Sequence, residues 1–424
     1  MSTVVAAADL DLKGIIRPGD HVLWSHACSE PSTLLEALLA QRAALGGVHC
    51  FAATSFSQAL KPEHADHLTF SSIGAIGTLR NLAKAHVLSV VPCHIGQMPQ
   101  FIAEGVIRCD VFFVQVSPPD RGGRYSLGVL NDYVRAAVAK ARVVVAEVNE
   151  RVPRTVCDHH LLDEDIDIRV HTSRPLIEFE APPIGPTDRA IAGFAAAYIH
   201  DGTILQTGIG AVPDAIMQLI GDRRHLGVHS GMIGDPVVDL MQSGAITNAS
   251  KPIDVGVTIC GSLTGSRRLF DFAHENPALR LSDASYTHGD AVLARLPRLV
   301  TINSALEVDL TGQVNAEQAG PLYIGGTGGQ VDYVRAGFRS EGGCSLIALP
   351  ATAVGGKASR IVRQLSGPVT TARSEVDVIV TEFGAAELRG QPIAERARRL
   401  AAIAHPLFRE ELEREAHLLR ARGY

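Results

Sequence analysis

Several features are missing from this chain, and each absence narrows what it can be. No run of about 18 apolar residues occurs, so the sequence predicts no membrane-spanning helix. There is no basic tract and the formal net charge is −6, so nucleic acid is not an expected partner. The first residues lack a charged segment followed by an apolar core, and we therefore expect no signal peptide.

The cysteine pattern and the composition point to an ordinary globular protein. The seven cysteines are odd in number, scattered, and never spaced as C-x-x-C, which predicts reduced thiols in a cytoplasmic protein. Hydrophobic residues make up 46% of the chain and charged residues 20%, as in soluble globular domains. With 424 residues, two or three domains are expected.

Short apolar runs alternate with helical patterns, which predicts an α/β fold with mainly parallel sheets. Residues 110–116 and 142–148 are too uniformly apolar for half-exposed strands and predict strands that are covered on both faces. Between them, 131–141 has the apolar spacing of a helix. Further helices are predicted at 33–45 and 408–422, and further strands at 88–91, 202–207, 253–259, 298–302, 345–349 and 377–381.

The clearest domain boundary is Ala181-Pro-Pro-Ile-Gly-Pro186. Three prolines in this short segment oppose a helix and favour an extended linker, and Thr187 is predicted to be the N-cap of a new helix. The sequence therefore predicts two α/β domains, 1–183 and 184–424.

A glycine turn follows the strand predicted at 202–207. Gly208-Ile-Gly210 precedes a helical pattern with Pro213 in its first turn, where a missing N–H costs nothing. Such helix starts bind phosphate through free N–H groups, but the spacing is not that of a dinucleotide-binding motif. A ligand-binding turn and a plain strand–helix turn both remain open.

Two further glycine clusters occur near the middle and end of the second half. Residues 325–330 could aim backbone N–H groups at a thioester carbonyl as an oxyanion hole, or could form a flexible surface hairpin. Residues 355–360 place Lys357 beside two glycines, where it could meet a phosphate or be a solvated loop lysine.

These segments, in this order, resemble the acetyl-CoA hydrolase/transferase family, the class I CoA-transferases that act with acetate, butyrate or 4-hydroxybutyrate. The most specific stretch is Ile302-Asn-Ser-Ala-Leu-Glu-Val-Asp-Leu-Thr-Gly-Gln313. Others are Val116-Ser-Pro-Pro-Asp120, Tyr125-Ser-Leu-Gly128, Ala146-Glu-Val-Asn149, Gly208-Ile-Gly210, Leu226-Gly-Val-His-Ser230, Gly328-Gly-Gln330, Thr381-Glu-Phe-Gly384 and Ala404-His-Pro406.

The resemblance implies two similar open α/β domains with the active site in the cleft between them, and a homo-oligomer such as a dimer or tetramer. Coenzyme A and acyl-CoA would be substrates, with a small carboxylate as the other partner and no permanently bound cofactor. The residues that it implies for CoA contact are Gln206, Thr207, Gly208, Ile209, Gly210, Leu306, Gly328, Gly329, Gly356 and Lys357.

The family's nucleophile is a glutamate that follows a His-Ser or His-Thr pair, and this chain departs from that pattern. His229-Ser230 is followed by Gly231 and then by Met232, which fits again. In the family, that carboxylate attacks the acyl-CoA carbonyl and then carries CoA as a glutamyl thioester. Gly231 has no side chain that could do this, but restoring a glutamate there is expected to restore transfer if the surrounding backbone is retained.

Several acidic and basic side chains are candidates to replace the missing group. Asp235, near a predicted helix start, could supply a carboxylate, and His229 could act as a general base, although each is more often structural. Glu307 and Asp309 are interpreted as scaffold residues, and Glu382 as a helix-start or supporting residue. Cys157-Asp-His-His160 lacks partner ligands elsewhere, so no metal site is predicted.

Three functions follow from this combination. The chain could move CoA between a short-chain acyl-CoA and a small carboxylate such as acetate. It could instead be an acyl-CoA hydrolase, or another acyl-CoA enzyme, with water at the vacated position. It could also bind acyl-CoA without catalysis.

Overall fold

The computed structural model describes residues 3–423. The strands, numbered in chain order, are β1 Thr3–Val5, β2 His21–Trp24, β3 Val48–Phe51, β4 Leu68–Ser72, β5 Leu88–Val90, β6 Val111–Val116, β7 Val143–Asn149, β8 Val156–Cys157, β9 Ile168–Thr172, β10 Ile204–Gln206, β11 Gly227–Ile233, β12 Thr258–Leu263, β13 Leu279–Leu281, β14 Leu299–Asn303, β15 Glu307–Asp309, β16 Val314–Asn315, β17 Gln318–Ala319, β18 Leu322–Tyr323, β19 Cys344–Ala348, β20 Thr352–Ala353, β21 Ala358–Ser359, β22 Ile361–Val362, β23 Val378–Thr381 and β24 Gly384–Glu387.

The α-helices are α1 Ser32–Gln41, α2 Arg80–Lys84, α3 Met98–Glu104, α4 Val134–Lys140, α5 Pro186–Ala195, α6 Ala211–Leu219, α7 Asp235–Gln242, α8 Arg267–Ala273, α9 Ala284–Thr287, α10 Asp290–Leu293, α11 Gln330–Arg339, α12 Ile393–Ala402 and α13 Pro406–Ala421. Among the described helices, none combines the length and hydropathy that a membrane crossing requires.

The chain forms two compact units. The first contains the described residues of Met1–Glu180 together with Ile259–Thr287, and the second contains Ala181–Thr258 and His288 onwards. The sequence division at 183/184 did not anticipate the second segment of the first unit. That segment joins because its backbone pairs with earlier residues: β13 lies parallel to β8, and Asn131 N–H donates to the Gly261 carbonyl.

The first unit contains an eight-stranded sheet in the order β1-β9-β7-β6-β2-β3-β4-β5, in which the strands are parallel. Strand β6 is buried along its whole length. Phe112 and Val114 pack into one hydrophobic cluster, whereas Val111 and Phe113 pack into another. Because alternate side chains of a strand face opposite ways, both faces of β6 are covered, as predicted.

The second unit has strands in the order β24-β23-β19-β14-β10-β11, parallel except for the antiparallel edge strand β24. Smaller antiparallel pairs, β15–β16, β17–β18 and β20–β21, lie in its connections. The predicted α/β class with mainly parallel sheets is therefore confirmed.

Two local predictions were wrong. The strand predicted at 253–259 begins only at Thr258, because Asp254 and Gly256 adopt positive φ in a turn before it. The helix predicted to be capped by Thr187 begins two residues earlier, with Gly185 as N-cap and Pro186 in its first turn, since proline fits that position.

Candidate active site at the strand ends of the second unit

Strands β10 and β11 are joined at their carboxyl ends by a serine side chain. Ser230 Oγ donates to the Thr207 carbonyl at 2.9 Å, and Thr207 N–H donates back to Ser230 Oγ at 3.3 Å. Both residues are buried. In open parallel sheets, ligands bind outside the carboxyl ends of the strands. This edge is therefore the candidate active site of the second unit.

The neighbouring strand β14 ends at the same edge. Asn303 Nδ2 donates to Gln206 Oε1 at 3.1 Å, and Gln206 Nε2 lies 3.5 Å from the Ile302 carbonyl oxygen. Gln206 is thereby fixed in orientation although it is the last residue of β10. Asn303 was not among the residues that the sequence singled out.

The first glycine turn leads from β10 into α6. Gly210 is the residue before the helix and has φ +117°, a conformation that favours glycine. A Cβ on Gly208 would meet only Pro213 Cγ, at 4.0 Å. The turn is half-buried, so its backbone and the free N–H groups of the α6 start are within reach of a ligand.

The second glycine cluster precedes α11 and is not the tip of a hairpin. Gly325 N–H donates to the Glu317 carbonyl, and a Cβ there would lie 2.1 Å from the Ala316 carbonyl oxygen. Gly328 has φ +49°, whereas Gly329, the residue before α11, has φ −95°. The positive-φ requirement therefore falls on Gly328, and the cluster leads into a helix start.

Two other predicted CoA contacts belong to connections after β14 and β19. Leu306 N–H donates to the Asn315 carbonyl just before β15. Gly356 and Lys357 lie in the turn between β20 and β21, where Gly356 has φ +86° and Lys357 is exposed. Val354 in the same turn is 74% exposed, so this is a solvated hairpin tip.

Gly231 lies where β11 emerges from the interior. His229 and Ser230 are fully buried, whereas Gly231 is half-buried. A Cβ built on Gly231 would lie 2.7 Å from His288 Nε2, 2.8 Å from His288 Cε1 and 3.6 Å from Tyr333 Cε2. The space expected to be vacated therefore contains the His288 imidazole, which a glutamate at this position would have to displace.

The imidazole is held against an aromatic ring from α11. The ring centroids of His288 and Tyr333 are 4.8 Å apart at an interplanar angle of 58°, and both residues are buried. Tyr333 N–H donates to the Gly329 carbonyl in the first turn of α11. The first turn of α11 and the rings of Tyr333 and His288 thus connect the second glycine cluster to Gly231.

The two predicted substitutes for the missing glutamate lie on either side of Gly231. His229 is completely buried within β11, and Asp235 is the first residue of α7. Burial raises the pKa of Asp214, in the first turn of α6, to about 6, and the nearby charge of Asp235 adds to this effect. Asp214 was missed by the sequence reasoning.

The other acidic candidates accept hydrogen bonds from neighbouring groups. Glu307 Oε1 accepts from Asn315 Nδ2 and from the Ser366 N–H. Asp309 accepts from the N–H groups of Thr311 and Gln313 in the turn after β15. Glu382 accepts from the Ala351 N–H, and it lies between β23 and β24 rather than at a helix start.

Cys157 and His160 come together, with Sγ and Nε2 separated by 3.7 Å. Within residues 3–423, no three histidine, cysteine, aspartate or glutamate side chains form a group that could hold a metal ion. All seven cysteines are free thiols, and burial raises the pKa of Cys157.

The first unit contains a buried polar pair that the sequence did not reveal. His26 Nε2 lies 3.1 Å from Asp132 Oδ2, and both side chains are about 95% buried. His26 Nδ1 and Asp132 Oδ1 have no hydrogen-bond partner, and Asp132 adopts φ +22°. Backbone strain and unsatisfied buried polar atoms are concentrated at functional sites, so this pair is the first unit's candidate for ligand contact.

Comparisons with known proteins identify the family of this chain. The family model of the acetyl-CoA hydrolase/transferase N-terminal domain matches residues 7–182, and that of the C-terminal domain matches residues 265–416. The 4-hydroxybutyrate coenzyme A transferase of Clostridium kluyveri is 38% identical over 93% of each chain.

Two solved structures are similar over almost the whole chain. RipA from Yersinia pestis has a TM-score of 0.93 and 31% identity over 99% of this chain and 98% of its own. The 4-hydroxybutyrate CoA-transferase of Porphyromonas gingivalis has a TM-score of 0.84 and 33% identity over the same shares.

Proposed function

Because this chain belongs to the acetyl-CoA hydrolase/transferase family, we propose that it cleaves short-chain acyl-CoA thioesters and passes CoA to a small carboxylate such as acetate. The likeness to 4-hydroxybutyrate coenzyme A transferase, which extends over 93% of both chains, carries this proposal. The acyl-CoA is a substrate, and no permanently bound cofactor is part of the reaction.

CoA binds to the second unit through its two glycine-led helix starts. The Gly208–Gly210 turn before α6 and the Gly328–Gly329 turn before α11 offer free N–H groups to anionic or carbonyl oxygens. Gln206 and Thr207 complete the pocket wall at the end of β10, and Leu306 extends it. Lys357 on its exposed hairpin reaches a phosphate of the nucleotide portion.

Hydrolysis is the second candidate, and Gly231 is the observation that favours it. In the family, a glutamate carboxylate at this position holds CoA as a thioester during transfer. This chain has no carboxylate at position 231, so CoA cannot be held there in that way. His229 and Asp235 flank the position and assist either reaction as a general base or as a charge near the thioester.

One measurement separates the candidates. Acetyl-CoA, butyryl-CoA or 4-hydroxybutyryl-CoA is incubated with each of the other acids, and the CoA species are followed by mass spectrometry. A new thioester demonstrates transfer, and free CoA formed without a new thioester demonstrates hydrolysis. If CoA binds by calorimetry but neither product forms, the chain is a binding protein; if CoA does not bind either, the proposal is wrong.

Assembly and compartment belong to the same proposal. The chain is expected to form a homo-oligomer, a dimer or tetramer, in the cytoplasm. Light scattering at enzyme concentrations tests the first expectation and cell fractionation the second.

A further inference from the structure

The side chain of His288 lies in the volume that a side chain on Gly231 would fill. His288 Nε2 would be 2.7 Å from such a Cβ, and Cε1 would be 2.8 Å from it. A glutamate carboxylate would extend two bonds beyond that Cβ, so the imidazole and the carboxylate could not both be present without one of them moving. The His288 imidazole therefore lies beside the point from which the family's carboxylate would extend.

Imidazole is chemically suited to this position. A neutral imidazole carries a lone pair on one ring nitrogen, and histidine forms covalent intermediates in acyl and phosphoryl transfer. Here the ring is buried and packed against Tyr333, whose helix begins at the second glycine cluster. Packing against Tyr333 restricts the orientation of the ring, and a nucleophile that attacks a carbonyl needs such a restricted orientation.

The flanking candidates are less suitable as the reacting group. His229 is completely buried within β11, behind the half-buried Gly231. Asp235 begins α7, and its charge acts on Asp214. Neither residue is among the nearest atoms to a side chain at position 231, whereas His288 provides both of the closest ones.

We propose that His288 replaces the missing glutamate as the nucleophile, an inference that rests on the proposed binding of an acyl-CoA at the second unit. Nε2 attacks the thioester carbonyl carbon, the C–S bond breaks, and an N-acylimidazolium, still protonated on Nδ1, and CoA thiolate form. Water then attacks the acyl group, the N–C bond breaks, and the acid, a proton and the free imidazole are released.

The same intermediate also accounts for transfer to a carboxylate. An incoming carboxylate attacks the acyl group to give a mixed anhydride and free imidazole. CoA thiolate, which exchanges with free CoA, then attacks the carbonyl of the incoming acid, which yields the new thioester and releases the original acid. Hydrolysis and transfer therefore share one step that depends on His288.

Exchange of CoA tests this step without any variant. The protein is incubated with unlabelled acyl-CoA and an excess of isotopically labelled free CoA, with no acceptor acid. An acylimidazole can be attacked by labelled thiolate, so labelled acyl-CoA is expected to accumulate. Acyl-CoA turnover with no exchange of label would show direct attack by water or acid, and would overturn the proposal.

Variants assign the exchange to the residue. His288→Ala and His288→Gln are both expected to lower exchange and turnover at least about 100-fold, while CoA affinity stays close to that of the parent protein. His288→Ala should also lower the thermal midpoint, because it leaves a cavity beside Tyr333. Glutamine keeps a polar side chain that packs and hydrogen-bonds but cannot be acylated. His417→Ala, on the exposed part of α13, is the matched control and should leave both rates unchanged.

The outcomes separate this inference from the function on which it rests. Exchange that survives in His288→Ala, or is restored in His288→Gln, would reduce His288 to a packing residue while leaving acyl-CoA cleavage intact. A parent protein that binds CoA but turns over no acyl-CoA would instead overturn the proposed function, and the nucleophile with it.

Discussion

Gly227 and Gly231 lie on the same strand, β11. At each position, a side chain from another segment occupies the space that a Cβ would take, but the two side chains are of different kinds. At Gly227 a Cβ would lie 2.8 Å from Lys251 Cγ and 3.0 Å from Cδ, so an aliphatic stem occupies the space. The Lys251 ammonium donates to the carbonyls of Val228 and Val257 at 3.0 and 2.7 Å. That end of β11 is packed and hydrogen-bonded as a structural core.

At Gly231 the intruding atoms belong to the ring of His288, and the strand there is half-buried. An imidazole has a reactive lone pair, whereas the methylene groups of a lysine stem have none. Both glycines allow a close approach, but only the second brings an imidazole to the carboxyl end of the strand. A glycine in a catalytic position is therefore informative only once the atoms that fill it are known.

The largest expected effect on turnover comes from placing the family's carboxylate at position 231, where the His288 ring now lies. Gly231→Glu alone should lose at least about 100-fold in turnover, because the new side chain displaces the ring without gaining a clear path. Gly231→Glu combined with His288→Ala removes the clash and should transfer CoA through a glutamyl thioester. Mass spectrometry of the acyl-CoA-treated protein would locate the adduct on residue 231.

Two results would contradict this expectation. An active single variant would show that the ring moves aside easily. A folded double variant that binds CoA but forms no adduct would show that the carbonyl does not approach this position.

A glycine that is needed for its backbone conformation should respond to substitution differently from a glycine that is needed because a side chain would clash. Gly328 has φ +49° with no atom within 4 Å of a Cβ, so Gly328→Val strains the backbone before α11 rather than creating a clash. CoA affinity, measured by calorimetry, should fall at least about 10-fold, since the N–H groups are no longer aimed correctly.

Gly390→Val is the matched control for this effect. Gly390 has φ +68°, also with open space around a Cβ, and lies in an exposed turn between β24 and α12. This variant should lose stability through backbone strain but should keep its CoA affinity. An equal loss of affinity in both variants would mean that the Gly328 effect is general destabilisation.

Much of the fold was predictable because it depends on local patterns. The apolar runs at 110–116 and 142–148 correspond to β6 and β7, and the proline before α5 marks the start of the second unit. Segment 259–287 was not assigned to the first unit, since its pairing with residues 129–157 depends on contacts distant in sequence. Periodicity carries no information about such partners.

Only those residues of the candidate site that belong to recognisable motifs were predictable from the sequence. Gly208–Gly210, Gly328 and Gly231 occur in recognisable strings, and the structure places them at strand ends and helix starts. His288 follows a short helix and belongs to no motif, and its approach to Gly231 is a matter of tertiary packing. Asn303 lies inside a recognised string, but its bond to Gln206 could not be inferred from it.

Substitution at Gly227, at the packed end of β11, should have a smaller effect, which is on stability rather than on turnover. Gly227→Val would force branched atoms against the Lys251 stem and Ile204 Cγ1, and is expected to destabilise the protein by about 1–3 kcal/mol. Gly231→Ala should cost less, because that position is half-buried, yet it should reduce turnover by displacing the ring. Urea unfolding midpoints compared with turnover would test this contrast, which fails if both variants lose stability equally.

The smallest effect concerns the charge of Asp214, in the first turn of α6. Burial, together with the charge of Asp235, raises the pKa of Asp214 from its ordinary 3.8 to about 6. Between these values the folded protein binds more protons than the unfolded chain, so the contribution of Asp214 to stability falls as the pH rises through that window. Asp214→Asn should therefore raise the thermal midpoint by at most about 2–4 °C at pH 7.5, with little change near pH 4. Asp222→Asn, on the exposed surface after α6, should show no such pH-dependent gain, and an equal gain in both variants would refute the assignment.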